Sequence, residues 1–340
     1  MSPAIGIRPN RPELRPFNSA GADISQSPLS VIVVNRNTSD LLLECLDHIF
    51  RSSLNETPAV FVVDNGSSDD SVVRVRETYG NVTVIEAGKN LGFAQANNLA
   101  IAQSGHSEFM LIVNTDAFLE KDCAALLVNL MRAEPRAGMA GPQLLNPDGS
   151  QQTSYEAIPT LSTETLNRSL LKRLFPRRFP GKNRRLSEPA TVEALIGAVM
   201  IMRRKAVNQL GRFDEDFFFF LEETDLALRM SKAGWTVLHH PQARAVHLQG
   251  ATAKTHGAAA RIEFYRSRYV FFRKHYGLFS TFLLKSVQTA NLVLNVLVLG
   301  AGVLITVGRS QKLLGKFRIR AELCKWHLQG CPIGPGLPRN

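Results

Sequence analysis

The sequence predicts a doubly wound α/β domain built on a mostly parallel sheet, followed by a helical segment near the C-terminus. Short, fully apolar runs alternate with segments of helical pattern through the N-terminal third of the chain. Apolar runs without alternating polar residues are typical of parallel strands that helices cover on both faces. Acidic residues follow two of these runs, and sheets of this class bind ligands at the carboxyl ends of their strands.

The predicted elements follow one another in a regular order. The first strand covers residues 30–34, and Thr38, Ser39 and Asp40 can cap the helix at residues 41–50. The remaining strands are predicted at residues 60–63, 82–85 and 110–113, and the remaining helices at residues 71–79 and 93–103. Alternation of this kind indicates a doubly wound sheet.

Size and charge limit the class of protein. The chain has 340 residues, of which 44% are hydrophobic, enough for one large core and an appendage. Its formal net charge of +11 predicts an acidic partner, and nucleic acid, anionic lipid and a phosphorylated substrate all satisfy that condition. The four cysteines show no CxxC spacing, which favours buried thiols in a reducing, cytoplasmic location.

The two ends of the chain differ in character. Residues 1–28 contain five prolines and no apolar core, so we expect a flexible tail and neither a signal peptide nor a membrane anchor. Residues 286–308 are uncharged, rich in Leu and Val, and long enough to cross a bilayer, but basic residues flank them on both sides. An interfacial or re-entrant segment on anionic lipid explains both flanks better than a single span. A helix packed against the core remains the alternative.

The basic excess is concentrated in two places. One is the stretch 168–185, which carries no acidic residue, and the other is the stretch 309–325. A nucleic-acid-binding protein would want aromatic residues between the basic ones, and only Phe175 and Phe179 supply them. Nucleic acid is therefore not the expected partner.

The segment 213–226 is the first candidate site. Four consecutive phenylalanines lead into Glu222, Glu223 and Asp225. Apolar surroundings raise the pKa of a carboxylate and a helix start lowers it, so this arrangement can build a reactive general base. The alternative is a buried strand followed by a solvated, acidic helix start.

Two further acidic positions follow predicted strands. Asp64 could accept the imide N–H of a pyrimidine base, although an Asx-turn or helix cap with Gly66 and Ser67 is the alternative. Asp116, in the run Asn-Thr-Asp, could hold magnesium or manganese carried by a diphosphate, or it could lie in a simple strand-to-loop turn. The chain has neither a Walker lysine loop nor a GxGxxG motif, which disfavours a P-loop ATPase and a dinucleotide dehydrogenase.

The order of these motifs resembles glycosyltransferase family 2, with the GT-A fold, over about residues 29–277. Within the family the pattern is most similar to the rhamnosyltransferase-type branch of bacterial polysaccharide synthesis. The motifs that carry the resemblance are at residues 31–35, 63–69, 90–94 with 97–98, 114–117, 141–145, 147–150, 197–200 and 213–226. The resemblance implies a GT-A catalytic domain at 29–277 with a nucleotide-binding N-terminal half. Residues 278–340, which follow this domain, are predicted to form a C-terminal membrane-associating segment.

The resemblance also implies roles for individual residues. Asp64 would contact the uracil or thymine of the donor, and Asp116 would be the main metal ligand because the first carboxylate of the DxD-type motif is missing. Glu223 would be the catalytic base and Glu222 its acidic neighbour, with Asp225 as the alternative base. His247 would reach the metal or the diphosphate. The donor pocket would be lined by Asn35, Asp64, Asn65, Asn90, Gly92, Phe93, Asn114 and Asp116.

The activity implied by the resemblance is inverting transfer of a sugar to a glycan or lipid-linked acceptor in cell-envelope polysaccharide synthesis, with Mn²⁺ or Mg²⁺. The favoured donor is dTDP-L-rhamnose, and a UDP-sugar (galactofuranose, GlcNAc or another hexose) is the alternative. A nucleotidyltransferase is less favoured, because residues 35–38 offer no glycine- and lysine-rich phosphate loop. We expect a cytoplasmic protein bound peripherally to the inner face of the cell membrane.

Overall fold

The computed structural model describes residues 27–105, 107–166, 186–248 and 251–339. The predicted tail up to residue 26 and the basic stretch 168–185 lie outside the described residues. Ser27 is buried and its hydroxyl donates a hydrogen bond of 2.9 Å to the carbonyl of Thr57. The folded domain therefore includes Ser27, slightly before the predicted boundary.

Eleven strands and nine helices make up the described residues. The strands are β1 (Leu29–Asn35), β2 (Ala59–Asp64), β3 (Val82–Glu86), β4 (Phe109–Asn114), β5 (Ala117–Leu119), β6 (Ala137–Leu145), β7 (Tyr155–Glu156), β8 (Ala190–Thr191), β9 (Ala194–Leu195), β10 (Val199–Arg203) and β11 (Thr236–His247). The helices are α1 (Ser39–Phe50), α2 (Ser71–Thr78), α3 (Gly92–Gln103), α4 (Cys123–Ala133), α5 (Leu161–Thr165), α6 (Arg204–Leu210), α7 (Glu222–Lys232), α8 (Ala251–Ile305) and α9 (Gln311–Leu328). The backbone of α8 is non-helical at Gly257 and Gly277.

The predicted α/β alternation is confirmed, but the predicted capping of the first helix is wrong. All four predicted strands and all three predicted helices are present in the predicted order. Thr38 takes the N-cap position of α1, but its hydroxyl donates to Asn35 Oδ1 at 2.7 Å instead of capping the helix. The first amide of the helix, that of Ser39, is bound by the Asp69 carboxylate from the next loop.

The central sheet is mixed, with a parallel N-terminal half. The strand order is β3-β2-β1-β4-β10-β6-β11-β5, with β8 paired to β11. Strands β3, β2, β1 and β4 are parallel, and Asn35 lies opposite Asp64 in the register. Strand β10 runs antiparallel to both of its neighbours, whereas β6 and β11 are parallel. The carboxyl ends of the parallel strands therefore meet at one edge, where the candidate residues lie.

Helices cover both faces of the sheet, which explains the uniformly apolar strands. In β1, Val31 and Val33 pack with Leu42 of α1 in one core cluster, whereas Ile32 points the other way and packs in a second cluster with Phe93 of α3. Successive side chains of a strand alternate between faces, so a strand covered twice must be apolar at every position.

The C-terminal helices form a third apolar cluster and leave a large face uncovered. Phe271 and Phe272 of α8 pack with Trp326 of α9 and with Phe217. Helix α8 is the one helix among the described residues that is long and apolar enough to cross a membrane. Only 11% of its most apolar 18-residue stretch is buried. Phe279 and Phe282 are 79% and 70% exposed. The second half of α8 thus packs on α9 along one side and exposes apolar residues on the other, which disfavours the core-packing alternative.

Candidate active site

Asp64 ends strand β2 with one carboxylate oxygen engaged and one free. Its Oδ2 accepts a hydrogen bond of 3.1 Å from the backbone N–H of Ser67, which is the turn predicted as the alternative role. Its Oδ1 is buried and has no hydrogen-bond partner within the described part of the chain. Leaving such an atom unpaired is costly, so the position suits a ligand that donates an N–H.

Asn65 and Asn90 tie the neighbouring turn together. Asn65 Nδ2 donates to Asn90 Oδ1 at 3.0 Å, and Asn65 Oδ1 accepts from the backbone of Leu91 at 2.7 Å. The Asn90 amide also donates to the carbonyl of Pro338, at 2.5 Å. The segment that follows α9 therefore reaches the predicted donor pocket, and no motif in the sequence predicts this contact.

The Gly92–Phe93 turn is fitted to the phenylalanine-rich segment. The backbone N–H of Phe93 donates to the carbonyl of Phe218 at 2.7 Å. Gly92 has φ +79°, and a β-carbon there would lie 2.2 Å from that carbonyl oxygen. Only glycine can take this position, because any side chain would clash with backbone in a conformation that L residues rarely adopt. The Gly92–Phe93 turn and the acidic segment are thus fixed relative to each other.

Asp116, just after β4, lies beside His247, the last residue of β11. Asp116 Oδ1 is 3.5 Å from His247 Nε2, longer than a charge-assisted hydrogen bond, and both side chains are largely buried. Two adjacent ligands of a six-coordinate Mg²⁺ lie about 3 Å apart, so this pair fits a shared cation. Within the described ranges no group of three or more His, Cys, Asp and Glu side chains could hold a metal. A cation here would need further ligands from a bound diphosphate or water.

The segment before α7 is not a strand. Phe217 and Phe218 are buried in a bent stretch, and both Phe220 and Leu221 have positive φ, at +75° and +66°. Such backbone is strained for residues with side chains, and strain of this kind concentrates at functional sites. The alternative of a buried strand followed by a solvated helix start is therefore wrong, since Glu222 is buried as well.

Glu222 and Glu223 begin α7 as poorly solvated carboxylates. Burial raises the pKa of Glu223 to about 8, and the negative charge of Glu156 adds to the effect. Burial and the neighbouring Glu223 likewise hold the pKa of Glu222 well above its ordinary value. The Oε2 atoms of both are buried and have no hydrogen-bond partner among the described residues. A β-carbon at Gly197 would lie 3.5 Å from Cδ of Glu223, in van der Waals contact, so this glycine borders the carboxylate without a side chain of its own.

Asp225 differs from both glutamates because three hydrogen-bond donors, two of them cationic, surround it. Its carboxylate accepts from Arg229 Nε at 2.8 Å, from His275 Nε2 at 2.7 Å and from Lys274 Nζ at 2.7 Å. Burial alone would raise the pKa of Asp225, but the hydrogen bonds from His275 and Lys274 and the charge of Arg229 hold it at about 2. Its contacts are those of an ion-pair anchor between α7 and α8.

The structure brings most of the predicted residues to one edge of the sheet. The registers place Asn35 beside Asp64 and Val34 beside Asn114, and the backbone N–H of Asn114 donates to Ala198, next to the glycine that borders Glu223. Asn35 is buried, and its amide donates to Ser67 at 3.1 Å. Gln152, whose amide contacts His247, was not among the predicted site residues, although the motif at 147–150 immediately precedes it.

Comparisons with known proteins identify the family of the chain. Residues 30–211 match the family described as Glycosyl transferase family 2. The N-acetylglucosaminyl-diphospho-decaprenol L-rhamnosyltransferase of Mycobacterium tuberculosis is 32% identical over 204 residues, which is 56% of this chain and 66% of the relative. The match thus spans slightly less than two thirds of that relative's length. The O-antigen chain rhamnosyltransferase WbaN of Salmonella anatum is 23% identical, over 61% of this chain and 62% of the relative.

A solved structure shows the same fold over nearly the whole chain. The mannosyltransferase PcManGT from Pyrobaculum calidifontis, in complex with GDP-Man and Mn²⁺, has a TM-score of 0.54 at 18% identity and covers 91% of both chains. At that identity the likeness concerns the fold alone. The predicted fold class is confirmed.

Proposed function

The chain belongs to glycosyl transferase family 2, and we propose that it is an inverting glycosyltransferase that moves a sugar from a nucleoside diphosphate to a lipid-linked or glycan acceptor. The observation that carries the proposal is the carboxylate of Glu223. Its Oε2 atom is buried and has no hydrogen-bond partner among the described residues, its pKa is raised to about 8, and Gly197, which has no side chain, lies beside it. Such a group can take the proton of an acceptor hydroxyl as that hydroxyl attacks the anomeric carbon. One displacement from the face opposite the leaving group inverts that carbon.

The donor is held at the ends of the parallel strands. Asp64 offers its free Oδ1 to the imide N–H of a uracil or thymine base, and the Asn65–Asn90 pair forms the adjoining wall. Asp116 and His247 would hold Mn²⁺ or Mg²⁺ together with the donor diphosphate. The cation supplies positive charge where the departing diphosphate gains negative charge, so no protein acid is required.

The favoured sugar is L-rhamnose from a dTDP donor. The M. tuberculosis and S. anatum relatives are both named rhamnosyltransferases. A UDP-sugar is the second candidate, because uracil presents the same imide N–H to Asp64 as thymine does. The name of the M. tuberculosis relative contains a diphospho-decaprenol, which supports a lipid-linked acceptor and a role in cell-envelope polysaccharide synthesis.

The acceptor's lipid accounts for the exposed face of α8. Apolar residues such as Phe279, Phe282 and Leu297 are exposed on this helix. Helix α9 carries the basic residues Lys312, Lys316, Arg318, Arg320 and Lys325. Apolar insertion combined with a basic rim is the pattern of a peripheral, interfacial segment on anionic lipid. The protein would therefore work at the cytoplasmic face of the cell membrane.

A panel of nucleotide sugars tests the proposal. Thermal shift with and without Mn²⁺ should select a thymidine or uridine diphosphate sugar, since a ligand at a hundredfold excess over its Kd stabilises the fold by about 2.7 kcal/mol. Turnover with acceptor should release a nucleoside diphosphate, whereas pyrophosphate would show a nucleotidyltransferase instead. Asp116→Asn should abolish the Mn²⁺-dependent part of donor binding, and Asp122→Asn, at an exposed position near α4, is the matched control. Full activity of Asp116→Asn in strong chelator would contradict the metal-dependent mechanism.

Vesicle binding tests the membrane role separately. Binding should require anionic lipid and weaken with salt, because each basic residue near such a surface contributes about 1 kcal/mol. Replacing Lys312, Lys316 and Arg318 together by Ala should weaken binding and flatten its salt dependence. Binding that ignores both salt and lipid charge would indicate a transmembrane helix.

A further inference from the structure

Gln152 lies at the end of a tight turn that the proposed mechanism has not used. After β6, the backbone N–H of Asn146 donates to the carbonyl of Ser150 at 2.8 Å, and that of Gly149 donates to the carbonyl of Asn146 at 2.9 Å. Asp148 Oδ1 accepts from the backbone of Ser150 at 2.9 Å. These bonds reverse the chain, and the N–H of Gln152 then donates to Leu144 at 2.8 Å. The turn therefore carries Gln152 back alongside β6, next to the end of β11.

The side chain of Gln152 binds His247 from two directions. Its Nε2 donates to the carbonyl oxygen of His247 at 3.1 Å and to Asn146 Oδ1 at 2.9 Å. Its Oε1 lies 2.8 Å from His247 Nδ1. Both residues are buried. Because a backbone carbonyl can only accept, the amide cannot be turned around without losing the bond to it.

This orientation determines which ring nitrogen of His247 carries the proton. The Gln152 oxygen can only accept, so Nδ1 must donate to it. In the neutral ring the other nitrogen, Nε2, then presents a lone pair, and it does so 3.5 Å from the carboxylate oxygen of Asp116. Two acceptors that face each other in a buried place need a positive group between them, and a divalent cation meets that need.

We propose that Gln152 is a positioning residue that fixes His247 in the Nδ1–H form and so aims Nε2 at the donor-bound cation. The proposal rests on the proposed function for the role of the cation, but the tautomer itself is a property of the protein alone. The proposal also explains the turn at 147–150, because that turn places the Gln152 amide beside the His247 ring. Outer partners of metal-ligating histidines act in this way, and their removal typically costs about 10–100-fold in metal affinity.

The tautomer is measured on the full-length protein without ligand. Nitrogen NMR of ¹⁵N-histidine-labelled protein at pH 8 distinguishes the two neutral forms, and the signal missing from His247→Gln assigns residue 247. The wild type should show the Nδ1–H form, and this result requires no variant at Gln152 to fold. A ring protonated at Nε2, or at both nitrogens, would overturn the proposal.

Two variants of Gln152 and one control extend the test. Gln152→Leu should lose the fixed tautomer and bind Mn²⁺, in the presence of a nucleoside diphosphate, about 10–100-fold more weakly. Gln152→Glu keeps an acceptor toward Nδ1 but loses the donations of Nε2 to the His247 carbonyl and to Asn146, so it should retain the tautomer and bind Mn²⁺ more tightly than Gln152→Leu does. Gln151→Leu makes the same chemical change at the exposed neighbour and should alter neither.

The outcomes separate the two proposals. An unchanged tautomer in Gln152→Leu would overturn the role of Gln152, whatever the metal does. Wild-type protein that shows the Nδ1–H form but binds no Mn²⁺ with any nucleoside diphosphate would instead contradict the metal-dependent function and leave the positioning of the ring confirmed.

Discussion

Glu223 and Asp225 lie two residues apart in the first turn of one helix, and their surroundings are opposite. Glu223 has a buried carboxylate oxygen without a partner within the described residues, and its pKa is raised to about 8. Asp225 is fully buried, and its pKa is lowered to about 2 by hydrogen bonds from His275 and Lys274 and by the charge of Arg229, which together outweigh the effect of burial. Burial acts on both carboxylates in the same direction, so the cations decide the difference.

Helical geometry explains how neighbours can differ so much. At 3.6 residues per turn, positions two apart point about 200° from each other around the helix axis. Glu223 faces the sheet edge at Gly197, and Asp225 faces Lys274 and His275 of α8. One acidic cluster in the sequence therefore serves two purposes, a reactive group on one side and an anchor on the other. Burying a carboxylate oxygen without a hydrogen-bond partner costs folding free energy. The ion pairs of Asp225, on the opposite side of α7, hold in place the helix that carries Glu223.

The largest expected effect is on turnover. Glu223→Gln keeps the shape of the side chain but cannot accept a proton, so kcat should fall about 10²–10⁴-fold while donor binding stays near that of the wild type. Asp225→Asn, measured at a temperature where it is folded, should keep most of its turnover. Steady-state kinetics with donor and acceptor provide the comparison. The reverse result, with Asp225→Asn inactive and Glu223→Gln active, would move the base to Asp225.

Stability should respond in the opposite order. Asp225→Asn leaves Lys274, Arg229 and His275 without their shared anion, and breaking a buried pair of this kind typically costs about 3–5 kcal/mol. Glu223→Gln should not destabilise the protein, because Oε2 of the carboxylate it replaces is buried without a hydrogen-bond partner among the described residues and burial raises its pKa. Urea unfolding at neutral pH measures both. An Asp225→Asn variant as stable as the wild type would mean that Lys274, Arg229 and His275 do not depend on the carboxylate.

The two carboxylates should also respond differently to pH. A base with a pKa of about 8 works only when deprotonated, so kcat/KM of the wild type should fall about tenfold for each pH unit below about 8 and level off above it. The depressed pKa of Asp225 contributes stability above the ordinary aspartate pKa of 3.8, and that contribution is lost as the pH falls toward about 2. As the pH is lowered, kcat/KM should therefore fall several pH units before the stability contributed by Asp225 is lost. A flat kcat/KM profile between pH 6 and 9 would contradict the assignment of Glu223.

The sequence was sufficient to predict the sheet, but it was not sufficient to predict the different roles of Glu223 and Asp225. Strand β1 and the strands paired with it are apolar at nearly every position, so their parallel pairing could be predicted from local pattern. Glu223 and Asp225 are both acidic residues at a helix start. The local sequence distinguishes them by Arg229, four positions after Asp225, but an i,i+4 pair of this kind does not by itself separate a base from an anchor. The partners that do so are Gly197, Lys274 and His275, which are distant in the chain and come close only when α8 packs on α7. Gln152 could not be chosen for the same reason, since its partner is 95 positions away.

The smallest expected effect isolates one of the three partners of the Asp225 carboxylate, the side chain of Lys274. Lys274 Nζ lies 2.5 Å from Asp214 and 2.7 Å from Asp225, and it comes from the part of α8 that precedes the exposed apolar stretch. Lys274→Met should cost about 1–2 kcal/mol, because His275 and Arg229 still hold the Asp225 carboxylate. The pKa of Asp225 should rise, so the acid-unfolding midpoint should move to higher pH, while kcat stays unchanged. Arg273→Met, at the exposed neighbouring position, is the matched control and should change neither. If Lys274→Met instead reduces kcat as strongly as Glu223→Gln does, the two sides of the helix are not independent, and the anchor takes part in placing the base.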